Sequence, residues 1–209
     1  MASPPSSSKG KGKATAASDT DEYQHVHESH HSMGSEIPWP VVRAEEIADA
    51  MEHRVHFLDD TKGRTQACLS EMAGIETGMG IHKVSLAPHT ESTVLHSHVG
   101  ESEWLYILSG SATLRLARSV GDVEDLRPGP EGGVHVEETV LHAGDYAGFP
   151  AGNPKERWAH SLRAGDEPCE YLLGGERKSI DVITYPTLGK TLVSHEESGA
   201  EAMFVGRSD

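Results

Sequence analysis

From residue 66 onward the sequence divides into short runs of β-branched, aromatic and aliphatic residues, each bounded by Gly, Pro, Asp or Asn. The runs cover 66–72, 79–86, 103–108, 112–117, 134–141 and 169–174. Strands this short cannot each bury a face alone, so regular punctuation of this kind predicts an all-β barrel or sandwich. Ahead of them, residues 44–53 (AEEIADAMEH) are good helix formers with Ile47, Ala50 and Met51 at spacings of three and four, which predicts one short N-terminal helix. The stretch between Arg118 and Gly133 is polar and rich in Gly and Pro, and reads as a long hairpin loop.

Residues 1–36 are rich in Ser, Pro, Gly, Lys and His and offer little to bury, so they are expected to form a disordered tail. His25, His27, His30 and His31 lie in it, with no fold to fix their geometry. Residues 37–209 then make a single domain, since about 170 residues suit one core better than two. The 33 acidic against 18 basic residues give a formal charge of -15, which disfavours nucleic acid and anionic membrane surfaces as partners. No segment has the apolar length of a bilayer span or the apolar core of a secretory signal, so a soluble cytoplasmic protein is expected. Cys68 and Cys169 lack the close pairing of a zinc ribbon or redox motif and read as reduced.

The chemistry is concentrated in HSHVGESEWLYILSG, residues 96–110. His96 and His98 are two apart, so on a strand both rings leave the same face. A turn through Gly100 lets a new strand start at Glu103 and brings its carboxylate back to the same point. Leu105 and Ile107 share the parity of Glu103 and place an apolar lining beside this polar cluster, whereas Trp104 and Tyr106 face the other way. One hairpin cannot surround an ion, so a further ligand must come from a distant strand. The candidate is His160, after the turn at Gly144 and Asp145 and the bend at Pro150 and Gly152. His82, His89, His135 and His142 have no such partners and read as ordinary strand and loop residues.

The spacing His96-x-His98-x4-Glu103-x6-Gly110 matches the first motif of the cupin superfamily, and Gly144-x5-Pro150-x-Gly152 followed by His160 resembles the second. The resemblance covers about residues 62–190 and implies a double-stranded β-helix, the jelly-roll cupin barrel. It also implies that His96, His98, Glu103 and His160 hold one divalent metal ion, and it favours a homodimer. Three departures stand out. Thr90 replaces the usual opening Gly of the first motif. Residues 153–159 separate Gly152 from His160 where the general pattern has two. Ala164 stands where the second motif often ends in Asn, so a supporting hydrogen bond is expected to be missing.

Imidazole with carboxylate suits Fe, Mn, Ni, Co or Zn and leaves the identity open. The primary expectation is a metal-dependent enzyme, an oxidoreductase of dioxygenase or decarboxylase kind, acting on a small oxygen-bearing organic substrate that chelates the ion. The alternative is a non-catalytic small-molecule binding or sensing cupin. A metal-free isomerase of the sugar-modifying cupin type is disfavoured by the intact ligand set.

Overall fold

The computed structural model describes residues 39–75, 77–118, 134–153, 156–195 and 203–204. The expected tail at 1–36, with its histidine cluster, and most of the expected hairpin loop lie outside them. Among the described residues no helix is long and apolar enough to cross a membrane.

A single-turn helix, α1 (Ala44–Asp49), opens the described chain, and the Glu46 carboxylate accepts from the Arg43 backbone N–H at its start. The helix ends before residue 53, because Glu52–His56 form strand β1 instead and pair antiparallel with β2 (Asp59–Cys68). Ladder hydrogen bonds to a long neighbour outweigh the helix preference of a few residues. Likewise the run expected at 66–72 splits. Its first part is the end of β2, while Leu69–Met72 turn into a second short helix, α2, where the Ser70 hydroxyl accepts from the Ile81 backbone N–H.

The remaining strands are β3 (Met79–Leu86), β4 (Ser97–His98), β5 (Glu103–Ser109), β6 (Ser111–Arg118), β7 (Val136–His142) and β8 (Tyr146–Phe149). They are followed by β9 (Trp158–Ala164), β10 (Cys169–Glu176), β11 (Ile180–Tyr185), β12 (Lys190–His195) and β13 (Met203–Phe204). One sheet runs in the order β1-β2-β3-β10-β5-β8, a second β7-β6-β9, a third β13-β12-β11-β4. The pairings within them are antiparallel. Bridges between Glu91 and Arg163 and between His96 and His160 join the segment around β4 to β9 and link the two smaller sheets. This is the expected two-walled jelly roll.

Burial follows the alternation read from the sequence. Leu105 and Ile107 on β5 are 3% and 0% exposed, and they pack with Val84 and Leu86 from β3, Leu114 from β6 and Leu162 from β9. Residues from opposite walls thus fill one core. Tyr106 is exposed, and Trp104 lies on the outer face, stacked with Tyr146 at 6.2 Å. Cys68 and Cys169 are both free thiols.

The turn between β5 and β6 depends on Gly110, whose φ of 74° is in the left-handed region. A Cβ there would lie 2.2 Å from the Pro168 carbonyl oxygen, so the backbone itself would have to move. Gly110→Ala is therefore expected to cost about 2 kcal/mol or more of stability, seen as a lowered midpoint in thermal or urea unfolding. An unchanged midpoint would show that the turn is not held this tightly.

Candidate functional site

The four residues selected by spacing meet between the walls. His96 precedes β4, His98 ends it, Glu103 opens β5 and His160 lies on β9. His96 and His160 form a hydrogen-bonded antiparallel pair, with His160 N–H donating to the His96 carbonyl at 2.8 Å and His96 N–H donating back at 3.2 Å. Among the described residues before His160, local hydrogen bonds hold the chain outside the cavity. There Glu156 N–H donates to the Asn153 carbonyl at 2.9 Å and Arg157 Nε to the Ala151 carbonyl at 2.8 Å. Glu156, Arg157 and Trp158 do not line the cavity.

All three imidazoles turn Nε2 toward Glu103 Oε2, at 3.7 Å from His96, 3.3 Å from His98 and 3.1 Å from His160. Donor atoms of His96, His98 and Glu103 form a set lying within 4.8 Å of one another, and His160 joins it from the facing strand through its contact with Glu103. Bonds of about 2.0–2.2 Å to a shared ion would separate neighbouring donors by about 3.0–3.6 Å. The separations of His98 and His160 from Glu103, 3.3 and 3.1 Å, fall in that range and that of His96, 3.7 Å, lies just above it, while His160 stands outside the mutually close set of three. His98 Nε2 is buried without a hydrogen bond, a polar atom aimed into the cluster that a ligand would satisfy.

The outer nitrogens fix the rings. His96 Nδ1 lies 2.9 Å from the Val94 carbonyl, which can only accept, so the proton is on Nδ1 and the Nε2 lone pair points inward. His98 Nδ1 donates to Asp181 Oδ2 at 2.5 Å, and Asp181 Oδ1 accepts from the Gly100 backbone N–H at 2.8 Å. This carboxylate–histidine arrangement orients a ring and makes its other nitrogen a better donor to a metal. For His160 the support is different. Phe149 stacks on it at 3.6 Å with the planes 5° apart, and its Nδ1 is buried with no hydrogen-bond partner. Ala164 is core, in keeping with the hydrogen bond expected to be missing at that position.

Spacing did not single out Asp181, Tyr185, Arg54 or Arg64. Asp181 had a legible signal, since it shares the parity of Ile183 and Tyr185 in IDVITY, and both of those line the cavity. An aspartate in an inward apolar register needs a partner. The cavity has a volume of about 310 Å³ and is walled by Leu105, Leu162, Leu173, Ile183 and Tyr185 beside the His/Glu cluster.

Charge in the cluster is distributed unevenly. Burial alone would push the His98 pKa down, but the Glu103 and Asp181 carboxylates outweigh it and raise it to about 10. Burial dominates at His96, lowered to about 4. Burial opposes ionisation of Glu103, yet His98 and the other imidazoles hold its carboxyl well below the usual range. In metal-free protein, the stabilisation tied to His98 is complete below its ordinary pKa of 6.5 and is lost as pH rises through about 10. The Glu103 contribution is lost as pH falls below the ordinary 4.5, and neutral, buried His96 adds a second loss between 6.5 and about 4. Nitrogen-detected NMR of chelator-treated protein at pH 8 should show His98 carrying both ring protons and His96 only the Nδ1 proton. A neutral His98 at that pH would contradict the account.

A scan against protein-family models and a search of curated proteins gave no match. Among solved structures, the chain is similar to the "Putative sugar phosphate isomerase" of Acidithiobacillus ferrooxidans ATCC 23270. The identity is 31% and the TM-score 0.61, over 79% of this chain and 90% of that one. A sugar phosphate isomerase from a cupin superfamily, of Silicibacter pomeroyi DSS-3, is 23% identical with a TM-score of 0.57, over 77% and 90% of the two chains. With the two-walled fold and the motif spacing, these likenesses place the chain in the cupin superfamily.

Proposed function

We propose that this cupin is a metal-dependent enzyme in which His96, His98, Glu103 and His160 hold one divalent ion, and that a small oxygen-bearing organic substrate binds beside them. The observation that carries the reading is the convergence of three Nε2 atoms on one carboxylate oxygen at 3.1–3.7 Å, with the Nδ1 atoms of His96 and His98 bonded outward. Two or three imidazoles with one carboxylate suit first-row divalent ions and do not select among Fe, Mn, Ni, Co and Zn. When bound, such an ion supplies Lewis acidity toward substrate oxygens, and a redox-active one also supplies electron transfer to oxygen.

The chain's own residues prepare the site. Asp181 and the Val94 carbonyl set the tautomers of His98 and His96, and ionised Glu103 supplies the negative charge that a cation requires. Leu105, Leu173 and Ile183 present apolar walls that limit water beside the reacting group. Burial raises the Tyr185 pKa to about 12, so its hydroxyl keeps its proton and can donate to a substrate oxygen in the cavity.

For the reaction, the first reading is an oxidoreductase of dioxygenase or decarboxylase kind, in a cytoplasmic homodimer. The similarity to the Acidithiobacillus protein favours a second, isomerisation of a sugar phosphate. Oxygen uptake across dicarboxylates, diketones and enols tests the first. Interconversion of aldose and ketose phosphates under nitrogen tests the second. Substrate binding without turnover in either assay would place the chain among non-catalytic binding cupins.

Protein purified without chelator should carry about one divalent ion per chain by elemental analysis. His96→Ala and His98→Ala should remove most of it while the barrel stays folded, and Glu103→Gln should weaken binding less. Asp181→Asn should lower metal affinity by about 10–100-fold, because the His98 ring loses its anionic support. His160→Ala decides the ligand count. Loss of metal is expected, and full retention of metal and activity would leave a three-ligand site.

A further inference from the structure

Arg54 on β1 and Arg64 on β2 are direct cross-strand partners, and both line the cavity that contains the His/Glu cluster. Like charges directly opposite on paired strands repel and destabilise the pair. Arg54 is relieved by Glu52, 2.8 Å away on its own strand, although both side chains are more than 60% exposed and the pair is correspondingly weak. Arg64 has no such relief. Its Nε donates to Gln66 Oε1 at 2.5 Å, and among the described residues no carboxylate lies within ion-pair distance of its guanidinium.

The cavity provides no counter-charge either. Glu103 is its only carboxylate among the described lining residues, and it faces the three imidazoles. His56, the lining residue beside the pair, is kept below its ordinary pKa by burial and then by the Arg64 charge, and its Nδ1 accepts from the Leu58 N–H at 3.2 Å. A chain with a net charge of -15 therefore keeps two opposed guanidinium groups, one of them paired only with an exposed glutamate and the other with no carboxylate partner among the described residues, at the apolar-walled cavity that holds the His/Glu cluster. The fork of a guanidinium matches the paired oxygens of a carboxylate or phosphate.

We propose that Arg54 and Arg64 form an anion seat that receives the carboxylate or phosphate group of the substrate. The substrate is then a small organic anion, held at one end by the arginines while its remaining oxygens reach the His/Glu cluster. The statement about the cluster rests on the metal-dependent reading above, but the seat itself does not. In a protein whose overall charge repels anions, a local positive pair admits only those small enough to enter the cavity.

The test uses the full chain, treated with chelator and dialysed, titrated calorimetrically with inorganic phosphate, with malonate and with uncharged glycerol. Wild type should bind phosphate or malonate saturably, and the one preferred identifies the anion. Arg64→Gln should weaken that binding at least tenfold, Arg64→Lys by less, and glycerol should bind neither protein. Metal content of Arg64→Gln, purified without chelator, should equal that of wild type, and its melting temperature should be equal or higher because a like-charge pair has been removed. Equal anion binding by wild type and Arg64→Gln, or no saturable binding by wild type, would overturn the seat. So would a large fall in melting temperature, which would make Arg64 a structural residue. Wild type that carries no metal but shows Arg64-dependent anion binding would sink the metal-dependent reading and leave the seat standing. Metal-loaded wild type with no Arg64-dependent binding would do the reverse.

Discussion

The backbone hydrogen bonds exchanged by His96 and His160, 2.8 and 3.2 Å long, are the joint on which the site depends. They tie the chain entering β4 to β9 and align the two histidines directly across from each other, with ring centroids 4.8 Å apart. Side chains of opposed residues leave the same face of a paired sheet. Once this pair forms, His98 follows two residues along on that face, and the turn through Gly100 returns the chain to Glu103. The joint lies within one wall of the jelly roll and Glu103 comes from β5 in the other, so the site exists only in the folded barrel.

Electrostatics then sets what the joint can hold. A buried carboxylate is costly without compensation, and here compensation comes from His160 Nε2, 3.1 Å away, and from the His98 ring, whose other nitrogen is held by buried Asp181. Without metal, a proton on His98 shared between two carboxylates is the internal counter-charge. With metal, the ion takes over that role, and the proton on Nε2 must leave before the nitrogen can ligate. The proton and the cation thus compete for one position, and a barrel with its own apolar core stays folded with either.

The barrel and the short core of the site were legible because they rest on local periodicities. The alternation of Glu103, Leu105 and Ile107 and the two-residue spacing of His96 and His98 each fix a face without reference to the rest of the chain. His160 was legible less directly, from the need for a ligand on a distant strand and from the looser second motif. Among the described residues of its lengthened approach, Glu156 and Arg157 bond back to Asn153 and Ala151, which no spacing rule reveals. Asp181 and the arginine pair were missed for a different reason. Asp181 acquires its role from a partner distant in sequence, and the pairing of Arg54 with Arg64 appears only once 52–56 is recognised as a strand and not the end of a helix. Local helix preference hid a strand that the sheet imposes.

X-ray absorption spectroscopy of protein purified without chelator tests the central claim most directly, because it reports the atoms around the ion whatever the reaction. The account predicts light nitrogen and oxygen neighbours at about 2.0–2.2 Å, with the multiple-scattering features of at least two imidazoles and no sulfur. It also predicts that the imidazole features diminish in His96→Ala and His98→Ala. Sulfur in the first shell, or a spectrum without imidazole that is unchanged by those substitutions, would place the ion elsewhere and contradict the account.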